Sequence, residues 1–221
     1  MFKVVTANAT TLTELRVDEG DEYLGVEDVR ALLQAGPKLE VLEAAVYIDD
    51  DDDEEDNQAA RAVLRNEPPF QALRLRRLFM FDILDSPAAV VRRCSYLRCH
   101  LSLEGLNLSR VALNTDAAMG AVVDACIVLR LRSLALKFCD VITPALPQLT
   151  RLIAAGALRQ LTIDNFGVQQ MFDEAHESTR LFVVAVRASA LTRLWLQRVG
   201  VLSENVVEAA AFINARQQYY Q

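Results

Sequence analysis

Leucines and other apolar residues recur along this chain in one pattern: an apolar residue, two variable residues, an apolar residue, one variable residue and an apolar residue. Seven copies of the pattern begin 27, 31, 33, 28, 27 and 33 residues apart. A period of this length predicts stacked units, because one such unit cannot bury its apolar side alone. The seven copies are Leu12/Leu15/Val17, Leu39/Leu42/Ala44, Phe70/Leu73/Leu75, Leu103/Leu106/Leu108, Leu131/Leu134/Leu136, Leu158/Leu161/Ile163 and Leu191/Leu194/Leu196.

Each unit contains two different periods. The apolar alternation at the end of the pattern predicts a short strand with one apolar face. Apolar spacings of three and four residues between the strands predict helices, with Thr115 able to cap one helix and Gly156 able to end another. The predicted helical faces are Val26, Val29, Leu32 and Leu33; Ala118, Val122, Val123 and Cys126; Leu146, Leu149, Leu152 and Ile153; and Val206, Val207, Ala210 and Ile213. Strand–helix–strand order predicts a parallel sheet, and such short strands favour a curved array with strands inside and helices outside.

Residues 131–139, Leu-Arg-Ser-Leu-Ala-Leu-Lys-Phe-Cys, follow the form Leu-x-x-Leu-x-Leu-x-x-Cys throughout. On this motif the chain resembles the leucine-rich-repeat family, in its ribonuclease-inhibitor-like class. The resemblance covers residues 12–216 and implies an α/β right-handed solenoid, a horseshoe with parallel strands on the concave face and helices on the convex face. The ninth position departs from the family pattern elsewhere, at Gly20, Tyr47, Leu78, Val111, Phe166 and Val199.

Residues 1–221 are expected to form a single array of about seven units within a longer array, because neither end carries a polar capping unit. The third unit has two alternative starts, Phe70 and Leu75. We prefer Phe70, because the Leu75 start places Asp85 at a position that is apolar in later units.

Residues 49–57 begin with eight consecutive acidic residues and predict a solvated loop insertion in one unit. Steering of a basic partner is an alternative role for this run. Calcium binding is a weaker alternative, because the run has no glycine for a tight turn and no regular ligand spacing.

The formal net charge of −7 argues against a nucleic-acid partner and against an anionic membrane surface, since both require a clustered positive surface. Four Cys in 221 residues are too few for a disulfide framework, and the N-terminus lacks the apolar core of a signal peptide. The cytosol or the nucleus is therefore the expected compartment. Only His100 and His176 are present, and no phosphate loop or metal-ligand spacing occurs, so we expect no catalytic residue, no cofactor and no metal site.

The variable residues that flank the strand leucines are predicted to face the hollow of the array, where a partner would bind. Trp195 is the only Trp and lies near Arg193, and both residue types are enriched in binding hot spots. Packing of Trp195 on a neighbouring strand or unit is the alternative. Arg74 and Arg76, with Arg77 beside them, form a basic patch for which a solvated face is the favoured interpretation. The candidate partner-binding residues are Arg16, Arg74, Arg76, Asn107, Lys137, Asp164, Arg193, Trp195 and Gln197.

These patterns predict a non-catalytic scaffold that recognises a partner protein on its concave strand face. The family resemblance implies one setting for it, the substrate-recognition part of an F-box ubiquitin ligase. A regulator of an enzyme is the first alternative: an inhibitor, or a GTPase activator that presents Arg16, Arg74, Arg76 or Arg193 to phosphates. A purely structural segment of a larger solenoid is the second.

Overall fold

The computed structural model describes residues 10–16, 24–25, 31–32, 35–36, 38–44, 46–47, 76–81, 90–91, 94, 97–98, 102–139, 145–164, 172, 176–199, 202 and 204–216. The acidic run at 49–57, the predicted third-unit residues Phe70, Leu73 and Leu75, and the candidate Arg74 lie outside these residues. Cys99, His100 and Asp85 lie outside them as well.

The described residues form an α/β fold around one open sheet of seven parallel strands. The strands follow one another in the sheet as they do along the chain, which confirms the predicted parallel sheet. They are β1 Glu14–Arg16, β3 Val41–Ala44, β5 Arg77–Phe81, β6 Gly105–Ser109, β7 Ser133–Lys137, β8 Gln160–Asp164 and β9 Arg193–Gln197. A separate two-stranded parallel pair consists of β2 Leu24–Gly25 and β4 Val46–Tyr47. The helices with described bounds are α1 Asp116–Leu129, α2 Leu146–Ala154, α3 Glu177–Ala188 and α4 Glu204–Arg216.

One leucine from each strand forms a continuous row across the sheet. The row runs Leu15, Leu42, Leu78, Leu106, Leu134, Leu161 and Leu194. Register in a sheet with one buried face is set by that face, because a one-residue slip would move every leucine to the other side.

The preferred Phe70 start of the third unit is therefore wrong, and the Leu75 start is correct. The strand is β5, and Leu78 is its central leucine instead of an apolar ninth-position residue. The Phe70 start depended on one loop position, that of Asp85. The row of buried strand leucines is a stronger constraint, because those side chains contact neighbours on both sides.

The strand leucines and the helices share one hydrophobic core. The predicted faces of α1 and α2 are confirmed, since all eight of their residues are buried. The predicted face of α4 is partly wrong: Val207 is 50% exposed, whereas Ala209 is 1% exposed. The four predicted helical faces do not include α3, which buries Phe182, Val183 and Val186.

Two of the predicted helix-end signals are confirmed. Thr115 precedes α1, and its Oγ1 accepts a hydrogen bond from the Ala118 N–H at 3.2 Å. Gly156 follows α2 with φ +77°, a left-handed conformation that glycine adopts without a side-chain clash.

A left-handed residue directly follows three of the strands, namely Arg110 after β6, Phe138 after β7 and Arg198 after β9. The residue that comes next is buried in each case: Val111, Cys139 and Val199. The turn at the left-handed residue thus returns the chain to the core. The ninth position of the pattern is therefore a core position in these three units.

Strand β9 is held at its outer side by α4. The Leu194 N–H donates to Asn214 Oδ1 at 3.1 Å, and Asn214 Nδ2 donates to the Leu194 carbonyl at 2.9 Å. One side-chain amide therefore satisfies both backbone groups of Leu194, much as a further strand would.

Candidate functional site

The face of the sheet opposite the helices, which we call the open face, carries the residues that alternate with the buried leucines. By register these residues form three rows across the strands. The first row is Glu14, Val41, Arg77, Gly105, Ser133, Gln160 and Arg193. The second row includes Arg16, Asn107, Ala135, Thr162 and Trp195. The third row includes Ser109, Lys137, Asp164 and Gln197.

A groove of about 640 Å³ crosses the open face near the beginning of the strands, and residues from all seven strands line it. We call it the arginine groove, because five guanidinium groups and a single carboxylate, that of Glu104, are found among the described residues that line it. The five are Arg16, Arg77, Arg132, Arg159 and Arg193. Arg132 and Arg159 stand one residue before β7 and β8, respectively. The groove therefore has a net positive charge.

Three of these arginines, Arg77, Arg132 and Arg193, have exposed side chains and form no ion pair with any carboxylate in the described part of the chain. The Arg159 guanidinium is held by a backbone carbonyl. Its Nη1 donates a hydrogen bond to the Gly156 carbonyl, just beyond α2, at 2.9 Å. Arg16 differs, since its Nε pairs with Glu14 Oε1 at 2.5 Å. Most of the positive charge in the groove is thus not neutralised within the described residues.

Gly105 shapes the middle of the groove. A Cβ added at this glycine would lie 3.4 Å from Arg77 Cγ and 3.7 Å from Ser133 Cβ. The missing side chain therefore leaves space in which the Arg77 stem extends over β6.

Trp195 lies on the open face of β9, at the end of the described sheet. It is 54% exposed, and its Nε1 donates to Gln197 Oε1 at 3.4 Å. Thr162 is its neighbour on β8, and Arg193 precedes it on the same face. Arg193 lines the groove and Trp195 does not, so the indole adjoins one end of the groove.

Asp164 is already bound within the fold. It is 8% exposed, and its two carboxylate oxygens accept hydrogen bonds from Arg198 Nε at 2.7 Å and Nη2 at 2.6 Å. The Arg198 guanidinium also lies 4.8 Å from the centre of the Phe138 ring. Asp164 and Arg198 form a fixed unit across the ends of β7, β8 and β9, so a partner would meet the Arg198 side of this unit first.

The remaining candidate partner-binding residues differ in their exposure and in their position on the sheet. Lys137 and Asn107 are half-buried, and Asn107 Oδ1 is a buried acceptor without a donor in the described part of the chain. Arg76 precedes β5, and its Nε is 3.9 Å from Glu40 Oε2. The corrected register gives the open-face position on β5 to Arg77, so the prediction that Arg76 occupies such a position is wrong.

The sequence-based candidates omit three arginines of the groove: Arg77, Arg132 and Arg159. The prediction considered residues that alternate with the strand leucines, and Arg132 and Arg159 precede the strands. A usable signal was nevertheless present in the sequence, since the variable pair inside Leu-x-x-Leu contains an arginine in four units. These pairs are Arg76-Arg77, Arg132-Ser133, Arg159-Gln160 and Thr192-Arg193.

The described cysteines are core residues. Cys94, Cys126 and Cys139 are buried, as predicted for Cys126 on its helical face. Burial raises the pKa of the Cys94 thiol to about 12, and it raises the pKa of the Cys126 thiol still further. Both thiols therefore remain protonated near neutral pH, and a protonated thiol is a poor nucleophile. No group of three or more His, Cys, Asp or Glu side chains suited to a metal ion occurs in the described ranges.

No protein-family model and no curated protein matches this chain. Within the described ranges, none of the helices combines the length and the apolar character that crossing a bilayer would require.

Proposed function

We propose that this chain is a protein-binding scaffold of the leucine-rich-repeat type, which recognises a partner protein on the open face of its sheet. The observation that carries the proposal is the arginine groove, a single depression lined by residues of all seven strands. A flat sheet of this width would offer separate shallow contacts. One shared groove supports a curved array in which the open face is concave.

The packing of the helices supports the same architecture. Helices α1, α2, α3 and α4 contact one another in chain order on the far side of the sheet. Each new unit therefore adds one strand to one face and one helix to the other, as expected for a solenoid whose units contact only their neighbours.

The chemistry of the open face suits binding. Trp and Arg are enriched in interface hot spots, and a side-chain amide can both donate and accept hydrogen bonds. Arg193, Trp195 and Gln197 present all three kinds of group side by side on β9, and all three side chains are exposed. We propose a non-catalytic role, because these groups bind a partner without supplying a nucleophile or a general base.

The substrate-recognition part of a ubiquitin ligase is the setting that the family resemblance favours for such a scaffold. Regulation of a phosphate-transferring enzyme is the second candidate, and the exposed, unpaired Arg193 favours it, since an arginine supplied in trans stabilises a phosphoryl transition state. A GTP-hydrolysis assay separates the two, because a passive scaffold leaves the hydrolysis rate of a bound GTPase unchanged.

Site-specific photo-cross-linking tests the proposed binding face. Benzoylphenylalanine replaces Trp195 on the open face in one variant and Val184 on α3 in the other. The two positions are matched in exposure, at 54% and 63%. We expect cross-links to a discrete partner protein from position 195 and only background from position 184. Cross-links from both positions alike, or from position 184 alone, would contradict the proposal.

A further inference from the structure

We infer that the arginine groove binds an acidic, extended peptide segment of the partner, with Asp and Glu carboxylates against Arg77, Arg132, Arg159 and Arg193. This inference rests on the proposed function, because it names the chemistry of the partner at the same face. It adds a class of ligand that the sequence patterns did not predict.

The dimensions of the groove fit such a segment. Arg77 lies on β5 and Arg193 on β9, and four strand intervals separate them. At the usual strand spacing of about 4.8 Å these intervals extend over about 19 Å. An extended peptide rises about 3.3 Å per residue, so a segment of about six residues crosses all four arginines.

Arg77, Arg132 and Arg193 are receptive because none of them forms an ion pair within the described residues, although Glu104 also lines the groove. On the helices, Arg151 and Arg187 already contact Asp124 and Glu208. The charge of an arginine in an existing pair is already partly neutralised. An acidic ligand therefore gains more at the groove than at the helix face.

The distribution of charge along the chain also favours an acidic ligand. Residues 1–57 contain 17 acidic and 4 basic side chains, a balance of −13. Residues 58–221 contain 13 acidic and 19 basic side chains, a balance of +6. The net charge of −7 thus conceals a basic region that includes four of the five groove arginines.

The acidic N-terminal region also limits what the groove accepts. Glu14 and Glu40 lie at the β1 and β3 end, where Arg16 is already paired with Glu14. A long polyanion such as a nucleic acid would extend from β5–β9 onto this acidic end and be repelled. A short acidic peptide that stops at β5 avoids the repulsion, so the geometry favours a peptide over a nucleic acid.

A binding assay with paired charge variants tests the inference. The probe is a fluorescent peptide of alternating Glu and Ser, about six residues long, and the reference is the same peptide with Gln in place of Glu. One variant of the full chain carries Arg132→Gln and Arg193→Gln in the groove. The matched control carries Arg151→Gln and Arg187→Gln on the helices. Both variants lose two positive charges, on opposite faces, and the control also removes the ion pairs to Asp124 and Glu208.

We expect the Glu peptide, measured by fluorescence anisotropy at low ionic strength, to bind the wild type and the helix variant with affinities within about twofold of each other. The groove variant should bind about fivefold or more weakly, and added salt should weaken wild-type binding, since exposed charge pairs are screened. Equal weakening in both variants, or equal binding of the Gln peptide, contradicts the inference. Tighter binding of a single-stranded oligonucleotide of equal charge also contradicts it.

The outcome is distinguishable from failure of the proposed function. If cross-linking through position 195 persists while the Glu peptide does not bind, the acidic-ligand inference is wrong and the scaffold function stands. If position 195 yields no face-specific cross-links although the groove variant loses peptide binding, the groove is an anion site and the protein-binding proposal is wrong.

Discussion

The arginines of the helix face and those of the open face have opposite surroundings. Arg151 Nη1 on α2 lies 2.7 Å from Asp124 Oδ1 on α1, and Arg187 Nη2 on α3 lies 3.1 Å from Glu208 Oε2 on α4. On the open face, Arg132 and Arg193 have no carboxylate partner in the described part of the chain. The chain therefore neutralises charge where its own helices meet and leaves it available in the groove.

This difference indicates that the charges of the helix face are used in contacts within the fold, whereas those of the groove are available to a partner. Exposed ion pairs between adjacent helices contribute little stability, with a typical range of about 0 to 1 kcal/mol. They nevertheless neutralise the charges of Arg151 and Arg187 on the helix face. A row of unpaired like charges on neighbouring strands costs some stability through repulsion, and a partner that supplies carboxylates would relieve that cost.

The comparison depends on the leucine row, which separates the two faces. A substitution in that row should have the largest effect on the free energy of unfolding. Leu134 is fully buried. Leu134→Ala removes packing on a central strand, and we expect a loss of about 2 to 5 kcal/mol in the free energy of unfolding. Urea denaturation measures this loss. Val184→Ala, at a position that is 63% exposed, is the control and should change the free energy by about 0.5 kcal/mol or less.

Loss of the hydrogen bonds that attach β9 to α4 should have an intermediate effect on stability. Asn214→Ala removes both side-chain hydrogen bonds to the Leu194 backbone, and we expect a cost of about 1 kcal/mol or more. Asn214→Asp keeps the acceptor for the Leu194 N–H and loses the donor to its carbonyl. If thermal unfolding shows both variants to be as stable as the wild type, the amide does not hold the edge of the sheet.

Exposed groups on the open face should affect binding much more than stability. Trp195→Ala combined with Arg193→Ala should weaken partner binding by about tenfold or more, since hot-spot truncations cost about 2 kcal/mol. The melting temperature should remain nearly that of the wild type, because Trp195 is 54% exposed. A large fall in melting temperature would instead show that the indole is part of the core.

The smallest expected effect concerns the floor of the groove. Gly105→Ala places a methyl group 3.4 Å from Arg77 Cγ, at the near limit of ordinary contact with a flexible side chain. Because alanine has less conformational freedom to lose than glycine, the change in stability should stay within about 1 kcal/mol. A small decrease in affinity for the acidic peptide, without loss of stability, would indicate that Arg77 must extend across β6.

The sequence was sufficient for the sheet but insufficient for the groove. Alternating leucines predicted the parallel strands, and six of the seven triplets contain the leucine that stands in the row. The third triplet was wrong because two leucine patterns overlap between Phe70 and Met80, and only pairing with Leu42 and Leu106 distinguishes them.

The helices show a similar limit. Two sets of residues fit helical spacing with Ile213. One set is Val206, Val207 and Ala210, and the other is Val206 and Ala209. Only the position of α4 against β9 determines that Ala209 is buried and Val207 exposed. Local periodicity specifies a helix and an apolar side, but contact with neighbours determines the rotation of that side.

Two arginines of the groove could not be assigned from strand alternation, whereas Arg16 and Arg193 were assigned in this way. Arg132 and Arg159 lie one residue outside their strands, and it is the length of the arginine side chain that brings them to the groove. Net charge alone gave no sign of this groove, because −13 in residues 1–57 outweighs +6 in residues 58–221. A surface charge must be assigned locally before a class of ligand is excluded.

The most direct test of the open face as the binding surface is an NMR titration that follows arginine Nε–H and tryptophan indole signals as the Glu peptide is added. We predict that Arg132 and Arg193 shift, that the Trp195 indole shifts with them, and that Arg151 and Arg187 do not. Shifts confined to Arg151 and Arg187, or of equal size on both faces, would contradict the account.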